Sequence, residues 1–286
     1  MSIKLIASDL DGTLVDHNNF IPTGNLDAIE DMNKKHIDFA ICTGKTYSIT
    51  KDICKKCNAS YGIFGNGTQI INLKTGQEIY KNLLSVEDFI GCYDLAKQYG
   101  FHIHIYSETE VISENLLYMD LRNYTLHQNQ QKSDLNFQVV PNVKDYVANH
   151  QTSIFKLVIS STENLSHLKD EILSRFDINV TLIQKKGLYK DLIIDKEYEY
   201  LDITPKHIGK GYALEYLSHF LNIDRSDIMA IGDNINDIDM IKVSGASATL
   251  SDSYEEVKKV AGYVATNTVE NAGFAEAVYR FIGTTT

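Results

Sequence analysis

A chain of 286 residues with 43% hydrophobic and 23% charged side chains is long enough for about two domains of ~150 residues, and too balanced for a disordered or fibrous protein. Its 27 Lys and Arg stand against 38 Asp and Glu, a net charge of −11, so it lacks the basic footprint that nucleic acid or an anionic membrane requires of a partner. The 4 cysteines, Cys42, Cys54, Cys57 and Cys92, are too few for a disulfide framework, no leader-like apolar segment follows Met1, and no run reaches ~18 apolar residues; the expectation is a cytoplasmic protein without a membrane span.

Ile3 to Ala7 is a short apolar run that stops at Ser8-Asp9, and Thr23 opens a segment with Leu26, Ala28, Ile29 and Met32 at helical spacing. Asp38 to Cys42 is another short strand, ending at Thr43-Gly44, and Tyr47 to Cys57 reads as a helix. This alternation predicts a parallel sheet with crossover helices, whose ligands bind beyond the carboxyl ends of the strands. After Tyr61 to Phe64 and the Gly65-Asn66-Gly67 turn, Gln69 to Tyr80 reads as a hairpin around Lys74-Thr75-Gly76.

From about Leu84 to about Tyr198 the alternation breaks. The pattern predicts a helix over Val86 to Tyr99, a hairpin over Phe101 to Ser113 and an irregular or helical stretch rich in Asn and Gln over Glu114 to Gln138. Strand, helix and strand follow through Gln184. From Pro205 the first pattern resumes with a helix over Ile208 to Leu221, a strand over Ile228 to Ile231, a helix after Asn236, a strand over Ala246 to Leu250 and a last helix from Glu270. The expected class is therefore α/β: a Rossmann-like parallel-sheet core of residues 1–83 and 199–286, interrupted by an α+β domain of residues 84–198.

The strongest chemical signal is Asp9-Leu10-Asp11-Gly12-Thr13 at the end of the first strand, where two carboxylates one residue apart converge on a hard cation such as Mg²⁺. An aspartate so placed can also attack phosphorus, and a second one just past the strand can protonate a leaving oxygen and then deprotonate water. Taken alone, the same turn also serves as a polar capping loop. Gly232-Asp233-Asn234-Ile235-Asn236-Asp237 follows a second apolar strand. If that strand neighbours the first, Asp233 completes a Mg²⁺ site that Asp9 and the Asp11 carbonyl begin. Asp237 joins that metal set directly or by orienting a bound water, or simply favours a helix N-terminus. Thr43 and Gly44, between a strand and a helix, offer a hydroxyl and an amide to phosphate oxygens, and Lys210 offers an ammonium.

These four motifs, in this order, resemble the haloacid dehalogenase superfamily, and within it the Cof-type phosphatases with a large cap between the second and third motifs. The resemblance covers most of the chain. It implies that Asp9 is nucleophile and metal ligand, that Asp11 is the acid and base whose carbonyl binds the metal, and that Thr43 and Lys210 hold the phosphoryl group. Asp233 is then a metal ligand supported by Asn236 and Asp237, and Asn66, in the family's Asn-Gly pair, is expected to touch substrate. The inserted domain becomes the cap, where substrate choice is expected. Two departures stand out: Lys45 occupies a position that is usually Arg, and Ala248-Thr249-Leu250-Ser251-Asp252 replaces the usual Ala-Met-Gly-Asn ending.

The expected activity is thus Mg²⁺-dependent removal of phosphate from small phosphorylated metabolites. A sugar phosphotransferase or phosphomutase, and a non-catalytic phosphate-sensing module, remain as alternatives, and neither substrate nor oligomeric state is readable. Cys54-x-x-Cys57 lacks the second pair a zinc site needs. His102, His104 and Tyr106 alternate with Ile103 and Ile105, which predicts a half-solvated strand rather than a metal site.

Overall fold

The computed structural model describes residues 3–16, 20–115, 136–185 and 198–283, and the chain divides into two units, Met1–Lys81 with Ile208–Thr286, and Asn82–His207. The first unit begins with β1 (Leu5–Ser8), α1 (Thr23–Lys34), β2 (Asp38–Cys42), α2 (Tyr47–Lys56), β3 (Tyr61–Phe64), β4 (Gln69–Asn72) and β5 (Glu78–Lys81). The second carries α3 (Val86–Gln98), β6 (His102–Tyr106), β7 (Glu110–Ser113), β8 (Asn136–Val139), α4 (Val143–His150), β9 (Lys156–Ser161), α5 (Ser166–Arg175), β10 (Ile178–Lys185) and β11 (Tyr198–Pro205). The first unit is then completed by α6 (Lys210–Leu221), β12 (Ile228–Ile231), α7 (Ile238–Val243), β13 (Ala246–Thr249), α8 (Glu255–Lys258), β14 (Tyr263–Val264) and α9 (Gly273–Ile282).

In the first unit an eight-stranded sheet runs in the order β14-β13-β12-β1-β2-β3-β4-β5. It is parallel from β14 to β3 and antiparallel through β4 and β5, the expected hairpin. The strands read as continuous apolar runs because both faces are covered. Ile6, Phe39, Ile41, Met229 and Ile231 pack on one side with Ala28, Ile29 and Met32 of α1 and Phe274, Ala277 and Val278 of α9. Leu5, Ala7, Ala40, Cys42, Ile228 and Ala230 pack on the other with Ala213, Leu214 and Leu217 of α6 and Met240 and Ile241 of α7. This layering is the α/β class expected from the alternating pattern. Parallel registry pairs Ser8 with both Ile231 and Ile41, so β1, β2 and β12 end side by side.

The second unit is a six-stranded sheet in the order β10-β11-β9-β6-β7-β8. Ile103, Ile105, Leu157, Ile159, Leu201 and Ile203 lie in one apolar cluster with Phe89, Cys92 and Ala96 of α3, Val143 and Val147 of α4, and Leu168 and Ile172 of α5. The residues that alternate with them, among them His102, His104, Ser160, Asp202 and Thr204, form a polar face.

Three expectations need correction. Residues 82–83 and 199–207 belong to the second unit; at the later boundary β11 pairs along its length with β10 and also with β9, partners that no local pattern identifies. Most of the expected irregular stretch over Glu114 to Gln138 lies outside the described residues, and its end, from Asn136, is strand β8, parallel to β7. His102 and His104 are each only 6% exposed, so the strand is not half-solvated. Alternation identifies a polar face, but burial depends on what packs against it. None of the described helices is long and apolar enough to cross a membrane.

Candidate active site

Asp9 follows β1 directly, and its N–H donates to the carbonyl of Ile231 (2.9 Å), which ties it to the end of β12. Thr43 follows β2 in the same way, its N–H on the Ile63 carbonyl (2.8 Å). Shared strand ends therefore gather residues that are far apart in sequence.

Lys210, the first residue of α6, is 1% exposed. Its Nζ donates to Asp9 Oδ1 at 2.5 Å and to Asp237 Oδ1 at 2.6 Å. The other oxygen of Asp237 accepts the N–H groups of Asp233 (3.1 Å) and Asn234 (2.9 Å), while Asn234 and Asp237 form a reciprocal capping box. Asp233 Oδ1 accepts the Thr13 hydroxyl at 2.6 Å. Gly12 runs at φ +87°, and a Cβ there would stand 2.8 Å from Asp233 Oδ2, so both backbone and space call for glycine.

One oxygen from each of Asp9, Asp233 and Asp237 lies within 4.8 Å of the others. Burial pushes the Asp9 carboxyl up to about 8 against the pull of Lys210, with Asp237 and Asp233 adding to the rise. Burial likewise raises Asp233 to about 6 although Thr13 donates to it. Burial opposes the Lys210 ammonium, yet Asp237 and Asp9 together hold it above the ordinary lysine value. Three neighbouring carboxylates thus stand against one ammonium, which bonds two of them, and a divalent cation fits both that excess of negative charge and the all-oxygen donor set. Among the described residues Asp237 has both oxygens engaged, whereas no bond is made by Asp9 Oδ2 or Asp233 Oδ2. A cation therefore fits best between Asp9 and Asp233, with Asp237 fixing the lysine and the 233–234 backbone.

The remaining sequence candidates form a second network. Thr43, 1% exposed, accepts the Lys45 N–H on Oγ1 (3.2 Å) and the Asn66 N–H on its carbonyl (3.0 Å). Asn66 stands at φ +56° in the Gly65–Gly67 turn, and its Oδ1 accepts from Asn236 Nδ2 at 3.1 Å, so the two asparagines bond to each other. A Cβ at Gly44 would stand 3.1 Å from that same Oδ1. Asp11 meets Lys45, whose Nζ lies 2.6 Å from its Oδ1.

Two residues received no role from the sequence. Thr13 stood in the first motif without a stated partner, and its bond to Asp233 arises only once β1 and β12 are neighbours. Asp239 accepts the N–H of Gly211 at the start of α6 and of Met240, and burial raises its carboxyl; no pattern marked it. Lys206, the lysine nearest Lys210 in sequence, pairs with Asp177 in the second unit. All four cysteines are buried and free, and burial pushes the Cys54 and Cys57 thiols up to about 12, so both carry their protons at neutral pH.

A family model described as haloacid dehalogenase-like hydrolase matches residues 6–278. A protein of Streptococcus pyogenes serotype M6, provisionally named a phosphatase, is 26% identical over 286 residues and covers 99% of both chains. A Bacillus subtilis protein named 5-amino-6-(5-phospho-D-ribitylamino)uracil phosphatase is 27% identical over 94% of this chain and 95% of its own. A haloacid dehalogenase-like hydrolase structure from Bacteroides thetaiotaomicron superposes with a TM-score of 0.80 at 23% identity, over 98% of this chain and 99% of that one. That likeness shows the fold.

Proposed function

From its membership in the haloacid dehalogenase-like hydrolases, the family to which this chain belongs, we propose that it is a Mg²⁺-dependent phosphatase of small phosphorylated metabolites. The buried ammonium of Lys210 shared by Asp9 and Asp237, with Asp233 within reach of the same point, carries the reading. Lys210 fixes the Asp9 carboxylate and opposes the charge of an incoming phosphoryl group. An Asp9 oxygen attacks phosphorus, the ester P–O bond breaks, and protonated Asp11 gives its proton to the departing oxygen. In the second half, water attacks the aspartyl-phosphate, Asp11 takes the proton from that water, and the P–O bond to Asp9 breaks to release inorganic phosphate.

Asp9, Asp233 and the Asp11 carbonyl would hold Mg²⁺, which, when bound, offsets phosphoryl charge. Thr43 and the Gly44 N–H are assigned to the phosphoryl oxygens. Asn66 and Asn236, bonded to each other, keep the loops after β3 and β12 in register and can present their remaining amide groups to substrate. A small metabolite as substrate agrees with the name of the Bacillus subtilis relative and with the acidic chain.

The test is inorganic phosphate release from a panel of phosphomonoesters by the purified chain. Turnover with Mg²⁺, lost in chelator and regained on adding Mg²⁺, is expected. Undiminished release in chelator, isomer formation without phosphate, or one-for-one phosphorylation without turnover would each overturn the reading.

A further inference from the structure

Lys45 is rooted on both sides by backbone bonds. Its N–H donates to Thr43 Oγ1 at 3.2 Å, and its carbonyl accepts the Gly65 N–H at 3.0 Å. The root is therefore as fixed as the loop after β3 that holds it. From there the four-carbon stem carries Nζ to 2.6 Å from Asp11 Oδ1.

The backbone at Asp11 is fixed as well, by its bridge to Val15 and by the Gly12 N–H on the Val15 carbonyl (2.9 Å). What remains free is rotation of the Asp11 carboxyl, and among the described residues Lys45 is the group bonded to it. The side chains are 31% and 49% exposed. An ion pair this open adds little to stability, but a modest preference is enough to populate one staggered side-chain arrangement over the others.

We propose that Lys45 is a positioning residue that aims the Asp11 carboxyl at the leaving oxygen and acts through Asp11 rather than by gripping the phosphoryl group. The proposal rests on the phosphatase reading and on the role given there to Asp11. Lys45 forms and breaks no covalent bond. It holds the proton-carrying group where transfer requires it, within hydrogen-bond reach of the departing oxygen. A single compact donor on a flexible stem orients one oxygen, while arginine at the same place keeps the charge and the reach.

This role has a signature that a contact to phosphate lacks. An alkyl leaving group needs its proton as the P–O bond breaks, whereas p-nitrophenolate leaves as a stable anion. The ratio kcat/KM reports the first half-reaction alone, so comparing an alkyl phosphomonoester with p-nitrophenyl phosphate isolates proton delivery. For Lys45→Met we expect kcat/KM to fall about tenfold or more on the alkyl ester and less than about threefold on p-nitrophenyl phosphate, with Lys45→Arg restoring most of the loss. In an Asp11→Asn background, Lys45→Met should add less than about twofold, because both changes remove the same step.

Equal losses on the two esters, no loss on either, or a full further loss in the Asp11→Asn background would overturn the proposal while leaving the phosphatase reading intact. Full alkyl turnover in Asp11→Asn alone would overturn the role given to Asp11, and this proposal with it.

Discussion

In the first unit the buried ammonium of Lys210 meets carboxylate oxygens at 2.5 and 2.6 Å, whereas in the second unit Nδ1 of the buried His104 imidazole has no hydrogen-bond partner among the described residues. Both are buried, Lys210 at the start of α6 and His104 on the polar face of β6, and the contrast shows two ways to bury a basic group. A lysine cannot lose its proton cheaply beside two carboxylates, so it is kept charged and paired. A histidine can become neutral. Burial drives His104 well below the ordinary imidazole value, with His102 and Lys156 adding to the shift, and burial takes His102 down to about 4. Around them the polar face is partly self-satisfied: Lys156 pairs with Asp202 at 3.0 Å and lies 4.7 Å from the ring centroid of Tyr106.

Removing Lys210 should have the largest effect. Lys210→Met leaves Asp9 and Asp237 facing each other without the ammonium, and we expect kcat to fall ~10²–10³-fold. Unfolding in denaturant should show a loss of about 3–5 kcal/mol, the usual result of stripping one partner from a buried ion pair. Turnover within a few fold of wild type would show that the pair is structural ornament; Lys206, held by Asp177, is no ready substitute.

The second unit should instead respond to acid. Imidazoles with folded-state values below the ordinary 6.5 bind fewer protons folded than unfolded, so their stability is complete above pH 6.5 and is lost as pH falls toward about 4. For His102 alone that amounts to roughly 3 kcal/mol across the window. Hydrogen exchange at the β6 and β9 amides, corrected for intrinsic rates, should lose protection between pH 7 and 4.5 more than that at β1, and His104→Leu should flatten the loss. Constant protection of β6 through that range would contradict the neutral-histidine account.

The same contrast explains which parts were legible in the sequence. Asp9, Asp233 and Asp237 stand at fixed offsets from short apolar strands, and parallel pairing of those strands brings them together at Lys210, so residues that local pattern singled out are also neighbours in the fold. Thr13 and Asp239 escaped notice because their partners, Asp233 and the Gly211 N–H, belong to other segments. The extent of the inserted unit was read short because β11 takes its place from β10 and β9 rather than from its own composition. At His102 and His104 the period of two identified the face correctly, but the degree of burial is a property of everything packed there, which periodicity does not encode.

In the proposed mechanism Asp9 carries the phosphoryl group between substrate and water. Acid quenching of a single turnover with a ³²P-labelled phosphomonoester and Mg²⁺ tests it directly. Label should be bound covalently to wild-type protein, decaying as free phosphate appears, and none should be found on folded Asp9→Asn. Label retained by Asp9→Asn, or wild-type turnover from that variant, would contradict it.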